Sequence, residues 1–365
     1  MHRVELTYAL RAAGEARREL HHPLIALLGA IHHQGSISAA ARHLGLSYRH
    51  VWGELKRWER ELGHTLVLWT KGQPARLAPF GSKLLWAERR AQARLAPQFD
   101  AIRAELERAF GVAFDDGAEV IEVAASHDEG LRSLSTWAAT HWKLHLDIRF
   151  SGSVDALSAL NEGRAIVAGF HALKHARARS ITARAYRPML RPGHHKLIGF
   201  ATRQQGLMVA SGNPLAITGL RDLARGGVRF VNREPDTGTR LVLEELLADA
   251  GVDLRAIDGQ EHVEPSHRAV AEAVASGRAD AAFGIAAAAR ARGLDFLPLA
   301  EEHYYLATLA DHLERSPLLA LRASLASPQW QMALSALPGY APHRSGEVLS
   351  LTETLPWWHW KTQKR

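Results

Sequence analysis

The 365-residue chain contains no cysteine. That absence excludes a disulfide framework, a thiolate metal site and a cysteine nucleophile. No run of 18 or more uncharged apolar residues occurs either, so no transmembrane helix is expected. The opening stretch MHRVELTYALRAAGEARREL carries charges throughout and lacks the uninterrupted apolar core of a secretory signal. These absences point to a cytoplasmic protein with no membrane partner. The adjacent His pairs at 21–22, 32–33 and 194–195 lack the i, i+4 spacing of a helical metal site, and no metal is expected. There is no Gly-Lys-Ser/Thr phosphate loop. SHDEG (126–130) sets Ser, His and Asp side by side, where three neighbours rarely converge on one substrate atom. No catalytic set emerges, and the chain does not read as an enzyme.

What is present is unevenly distributed. Residues 1–112 hold 17 Lys and Arg against 10 Asp and Glu, whereas residues 113–365 hold 28 against 28. The whole formal charge of +7 therefore belongs to the first third, which implies a polyanion partner for that third alone. The length calls for two or three domains. GVAFDDGAEV (111–120), with its Gly and Asp, marks the best boundary. Before it the pattern is mainly helical. After it, strand-like runs such as EVIEVAAS, LDIRF, GLMVA and VRFVN alternate with helical runs such as EGLRSLSTWAATHW, the pattern of an α/β domain with mostly parallel strands.

GSISAAARHLGLSYRHVWGELKRWERELG (35–63) holds two helical stripes joined by a Gly-containing turn. Ser36 and Ser47 each precede an apolar run and suit helix caps. Ile37, Ala40, Ala41 and Leu44 share one face of the first run; Val51, Leu55, Trp58 and Leu62 share one face of the second. The opposite face carries Tyr48, Arg49, His50, Lys56 and Arg57. Such a pair is a helix-turn-helix, whose second helix enters the DNA major groove. HHPLIALLGAIHHQ (21–34) supplies a third core helix, and HTLVLWTKGQPARLAPFG (64–81) reads as a strand-turn-strand wing. Lys71, Gln73 and Arg76 in that wing join Ser36, Ser47, Tyr48, Arg49, His50, Lys56 and Arg57 as the candidate DNA-binding set. Basic members would neutralise phosphates, while Tyr48, Arg49 and His50 could meet base edges. Leu95, Phe99, Ile102, Leu106 and Phe110 then repeat at helical steps, as a partner-facing stripe would, and Pro97 is expected to kink or restart that helix.

Residues 20–90, above all LSYRHVW, resemble the winged-helix domain shared by LysR-type and molybdate-responsive ModE-type regulators. The resemblance implies a double-stranded DNA operator and a homodimer or higher homo-oligomer.

In the rear of the chain a strand followed by a small polar residue opening a helix recurs at EVAASHDEGLRSL, IRFSGSVDALSAL and FVNREPDTGTRLVLEELL. Helix starts offer free N–H groups and partial positive charge, so three of them at strand ends make a ligand cradle. Ser126, Ser151, Ser153, Thr237 and Thr239 add hydroxyls, and His127, His171, Arg203, Arg240 and His267 add donors. Asp128 completes the candidate ligand-binding set, although a carboxylate at a helix start can satisfy those N–H groups itself. LMVASGNPLAITGLRDLARGGVRFVNREPDTGTRLVLEELL, the 267–306 segment and LPGYAPHRSGEVLSL resemble the periplasmic-binding-protein-like domain found fused to ModE-type winged helices and in some molybdopterin-biosynthesis proteins. That resemblance implies two α/β lobes, with the chain crossing near 200–210 and returning near 300–310. It also implies a small-molecule effector such as molybdate or tungstate. The chain departs from the relatives' Gly-Ser-Gly-Thr with Asp236-Thr237-Gly238-Thr239.

The expected organisation is multidomain: an N-terminal all-α winged helix-turn-helix (1–82), a linker and dimerisation helix (83–116), an α/β two-lobed periplasmic-binding-protein-like domain (117–350) and a Trp-rich tail (351–365) docked by its aromatics. The expected function is ligand-responsive transcription regulation. Two alternatives stay open: a constitutive DNA-binding regulator whose sensor has lost its ligand, and an autoregulated enzyme on the two-lobed fold.

Overall fold

Ser36 and Ser47 punctuate the front of the molecule. Their hydroxyls accept from Ala39 N at 3.4 Å and His50 N at 3.1 Å, starting α2 (Ile37–His43) and α3 (Tyr48–Leu62) after α1 (Pro23–Gln34). The structure is a computed structural model that describes residues 22–358 except 71–72, 115–116, 175–176, 178–179 and 236. Leu27, Leu28, Ile31, Ile37, Ala40, Val51 and Leu55 form one core among the three helices. The wing is a short antiparallel pair, β1 (Val67–Leu68) and β2 (Arg76–Leu77). The 36-residue α4 (Pro79–Phe114) follows. Gly81 lets its first turn press on the wing, because a Cβ there would collide with the Leu66 carbonyl.

The chain divides into two compact units, 1–92 and 93–365, and the division falls inside α4, whose first turns bury Leu85 with α1–α3. The helix is continuous through residue 97, so it does not restart at Pro97. Proline cannot donate to the carbonyl four residues back. That carbonyl, Ala93 O, accepts instead from the Ser266 hydroxyl at 3.2 Å, which removes one cost of the missing bond.

The second unit is one curled mixed sheet with helices on it. In chain order it comprises β3 (Glu119–Ala125), α5 (Glu129–Trp142), β4 (Leu144–Phe150), α6 (Ser153–Asn161), β5 (Val167–Leu173), α7 (Ile181–Tyr186) and β6 (His195–Val209). Then come β7 (Phe230–Arg233), α8 (Gly238–Ala250), β8 (Val263–Glu264), α9 (His267–Ala275), β9 (Ala281–Ile285), β10 (Asp295–Leu309), β11 (Tyr340–Pro342) and β12 (Val348–Ser350). The strand order is β4-β3-β5-β10-β6-β9-β7-β8, with β11 and β12 added to β6. Within each lobe the short strands are parallel, β4-β3-β5 in the first and β8-β7-β9 in the second. β6 and β10 run antiparallel to each other, because the chain leaves the first lobe along one and returns along the other. The crossing thus falls where the 200–210 and 300–310 segments were expected to make it. β3 ends in the buried run Val123, Ala124 and Ala125, as a strand covered on both faces requires. Trp357 and Trp358 are buried with Tyr186, Leu349 and Leu355 in a core of the first lobe, so the described part of the tail docks by its aromatics. Residues 359–365 lie outside the described residues. Among the described residues, no single helix is long and apolar enough to cross a membrane.

Candidate DNA-binding face and ligand site

On α3, Val51 and Leu55 are buried while Trp58 and Leu62 pack partly against the same core. The other face is open: Tyr48, Arg49, His50, Lys56 and Arg57 are all exposed. Lys56 pairs with Glu59 at 2.7 Å and Arg57 with Glu54 at 2.6 Å, both on the helix surface. Exposed pairs of this kind contribute about 0.2–1 kcal/mol, so phosphates compete with them easily. Ser36 and Ser47 serve as caps. Gln73 and Arg76 are exposed on the wing, and Lys71 lies outside the described residues. Sequence reasoning passed over two aromatics. Trp52 stacks on Tyr48 at a centroid distance of 6.3 Å, meets Trp69 of the wing at 5.9 Å, and carries Lys56 over its ring at 4.9 Å. Tyr48 and Trp69 are 44% and 52% exposed, so an apolar strip joins α3 to the wing amid cations.

The second site forms where β3, β4 and β7 end at the starts of α5, α6 and α8. Asp128 caps α5 through Leu131 N at 2.8 Å. Its other oxygen receives Arg203 Nη1 at 2.5 Å and the Tyr340 hydroxyl at 2.6 Å. Arg203 Nε donates to Glu302 Oε1, so one guanidinium, 1% exposed, is locked between two carboxylates. Burial opposes its charge, but Glu302 and Asp128 outweigh that and hold it above the ordinary arginine range. Glu302 itself is pushed upward by burial against the pull of Arg203.

Arg233, the last residue of β7, is treated differently. It is 3% exposed; Nη2 donates to the Pro265 carbonyl at 3.0 Å, and neither Nε nor Nη1 has a partner among the described residues. Burial, then the like charge of Arg203, lowers it to about 10, which leaves it cationic at neutral pH. A buried cation without an anion costs several kcal/mol, about the amount a bound anion would recover.

Two imidazoles, His171 and His267, lie within reach of its charge. His171 stacks on Tyr304 at 4.0 Å, and neither ring nitrogen nor the Tyr304 hydroxyl has a partner among the described residues. His267 Nε2 lies 3.3 Å from Thr239 Oγ1. Burial, followed by the fields of Arg203 and Arg233, drives the pKa of both imidazoles well down, so both are neutral at pH 7. Gly238 opens α8, with Thr237 as its cap. A Cβ on Gly238 would stand 3.0 Å from Ser153 Oγ, 3.3 Å from His171 Nδ1 and 3.3 Å from the Tyr186 hydroxyl. The glycine therefore brings a second-lobe helix start against hydroxyls of the first lobe. A cation with no carboxylate hydrogen bond among the described residues, in a unit where hydroxyls, neutral imidazoles and helix N-termini meet, has chemistry that suits a small anion.

Of the sequence candidates, Ser126, His127, Asp128, Ser153, His171, Arg203, Thr237, Thr239 and His267 are all buried in this unit. His127 packs its ring on Phe150 at 5.0 Å. Asp128 and Arg203 are consumed by the ion triad and build the wall of the site. Arg240 is spent on Glu244 at 2.6 Å along its own helix, and Ser151 is half-buried, its hydroxyl nearest the Gly152 carbonyl at 3.5 Å. Asp236 lies outside the described residues. Arg233, Tyr186, Tyr304, Glu302, Gln205 and Tyr340 were not anticipated. Arg233 alone had a visible signal: it ends a strand inside NREPDTGTR, one step before the cradle. Among the described residues no cluster of metal-ligating side chains occurs.

Two family models match the chain. One, described as a PBP superfamily domain, covers residues 135–326; the other, described as a bacterial regulatory helix-turn-helix protein of the lysR family, covers residues 24–82. The chain belongs to the PBP superfamily and carries a lysR-family helix-turn-helix. It is similar to the uncharacterized protein YvgK of Bacillus subtilis (strain 168), 32% identical over 201 residues that make up 55% of this chain and 64% of YvgK. The chain therefore spans less than two thirds of that relative. An uncharacterized protein of Clostridium pasteurianum, from the 5' region of a 2Fe-2S ferredoxin gene, is 31% identical over 111 residues, 30% of this chain and 98% of that protein. The solved structure of full-length BenM matches 82% of this chain and 94% of its own at 16% identity, with a TM-score of 0.40.

Proposed function

We propose that this chain is a ligand-responsive LysR-type transcriptional regulator, a one-component switch whose two-lobed domain takes up a small oxyanion and whose winged helices grip an operator as a dimer. Arg233 carries the reading: a buried guanidinium whose only hydrogen bond among the described residues goes to a neutral carbonyl asks for an anion. Molybdate and tungstate are the first effectors to try, because the SYRHVW opening of α3 resembles the molybdate-responsive ModE-type group; a molybdenum-cofactor-related anion comes next. The apolar stripe of α4, with Leu95 and Ile102 exposed, is the surface on which two copies pair to supply two reading heads for a palindrome. The place of action is the cytoplasm. The effector must favour one arrangement of the dimer, and a coupling of about 1–3 kcal/mol is typical.

Thermal melting with sodium molybdate, tungstate, sulfate, phosphate and small carboxylates tests the reading. A ligand at a hundred times its Kd adds about 2.7 kcal/mol, a shift of several degrees. The same shift should vanish in Arg233→Met. No shift with any oxyanion removes the oxyanion reading, and operator affinity indifferent to every compound would favour a constitutive DNA-binding protein.

A further inference from the structure

Resting on the reading of Arg233 as the anion site, we infer that the run Glu264-Pro265-Ser266 carries effector occupancy to α4, with Ser266 as the positioning residue. The run touches both ends of the path. Pro265 O holds Arg233 Nη2 at 3.0 Å. Its neighbours hold α4: Ser266 Oγ donates to Ala93 O at 3.2 Å, and the Glu264 carboxylate faces Arg94 Nε at 3.2 Å. Residues 93–114 of α4 belong to the same compact unit as the ligand site.

Pro97 makes the Ser266 contact matter. With no N–H at position 97, Ala93 O lacks the donor four residues on that an α-helix normally supplies. Ala93 is buried, and a buried carbonyl without a donor costs free energy, so the hydroxyl is the group that satisfies it. The same hydroxyl oxygen accepts from Ala269 N at 3.1 Å, capping α9. That helix opens with His267, which meets Thr239 at the start of α8. One serine therefore ties together α4, the helix bearing a site histidine and, through Pro265, the site cation. An anion that draws the Arg233 guanidinium toward itself pulls on Pro265 and so on both grips at once.

Three substitutions separate the relay from mere capping. Ser266→Asp keeps an acceptor for Ala269 N but has no proton for Ala93 O. Pro97→Ala gives Ala93 O a donor within α4 and makes the serine bond dispensable. Ser266→Thr retains both functions and should behave as the starting protein. Operator Kd is measured by fluorescence anisotropy with and without sodium molybdate, and molybdate Kd by calorimetry without DNA. The inference expects S266D and P97A to bind molybdate within about threefold of the starting protein while the molybdate-dependent change in operator Kd falls by about threefold or more. An undiminished response in both variants overturns it and leaves the anion site standing. If molybdate does not bind the starting protein, that site reading loses its first ligand, and a ligand-free double-mutant cycle of R233M with S266D decides the relay. Effects on operator Kd that multiply independently overturn it; a departure of about threefold or more supports it.

Discussion

The two ends of this molecule handle positive charge in opposite ways. On α3 and the wing, Arg49, Lys56, Arg57 and Arg76 stand in water, two of them paired loosely with glutamates one turn away. In the rear unit, Arg203 and Arg233 are removed from water altogether. Solvated cations cost little to maintain and bind a polyanion by number, with strong sensitivity to salt. A buried cation is expensive, so it must be matched within the fold, as Arg203 is, or by what binds, as we propose for Arg233. The contrast teaches that neighbours, and not residue type, decide whether an arginine is scaffold or receptor.

Substitutions can break this comparison, and the largest effect belongs to Arg203. Arg203→Met strands Asp128 and Glu302 as buried carboxylates and should cost about 3–5 kcal/mol in urea unfolding; a loss below 1 kcal/mol would show that the triad is not a structural unit. Arg233→Met should do the reverse in ligand-free protein. Removing an unmatched buried charge is expected to leave stability unchanged or raise it by about 1–4 kcal/mol, and a marked fall in melting temperature would mean the guanidinium is already satisfied. Arg49→Ala should leave folding within about 0.5 kcal/mol yet weaken operator binding by about 1–3 kcal/mol. An equal loss on random DNA would make Arg49 a phosphate contact.

Acid provides the smallest and most graded test. His171 and His267 have folded pKa values well below the ordinary histidine value, so below about pH 6.5 the unfolded chain binds protons that the folded chain refuses. Their contribution is complete above that pH and is lost as pH falls, by up to about 1.4 kcal/mol per pH unit for each imidazole. Urea melts between pH 7.5 and 5.5 should show this slope, and it should flatten in the His171→Gln, His267→Gln double variant.

The front of the molecule was legible in its sequence because its logic is local. Caps at Ser36 and Ser47, a stripe through Val51 and Leu55 and a glycine turn are all written within one or two turns of helix. Strand ends opening helices were equally readable, and they located Ser153, Thr237 and Thr239. What escaped were residues whose roles depend on the long antiparallel pair. Glu302 and Tyr304 on β10 and Tyr340 on β11 meet Arg203 or Asp128 only after strands remote in sequence are laid side by side. Arg203 read as a ligand donor for the same reason: nothing near it in sequence announces the two carboxylates that occupy it. Pro97 is a parallel case, since the hydroxyl that stands in for its missing donor lies far along the chain.

The irregular ladder between β6 and β10 constrains how the lobes can part. Their register slips between Pro298 and Ala300, opposite Gly206 and Gln205, at the waist of the pair. Gly206 has no room there for a side chain, which would strike the Leu297 carbonyl. Two continuous ribbons resist sliding, but a bulge beside a glycine is where such ribbons bend and twist. Opening should therefore follow a swivel about this waist, and a side chain introduced at residue 206 would force the two ribbons apart at the pivot itself.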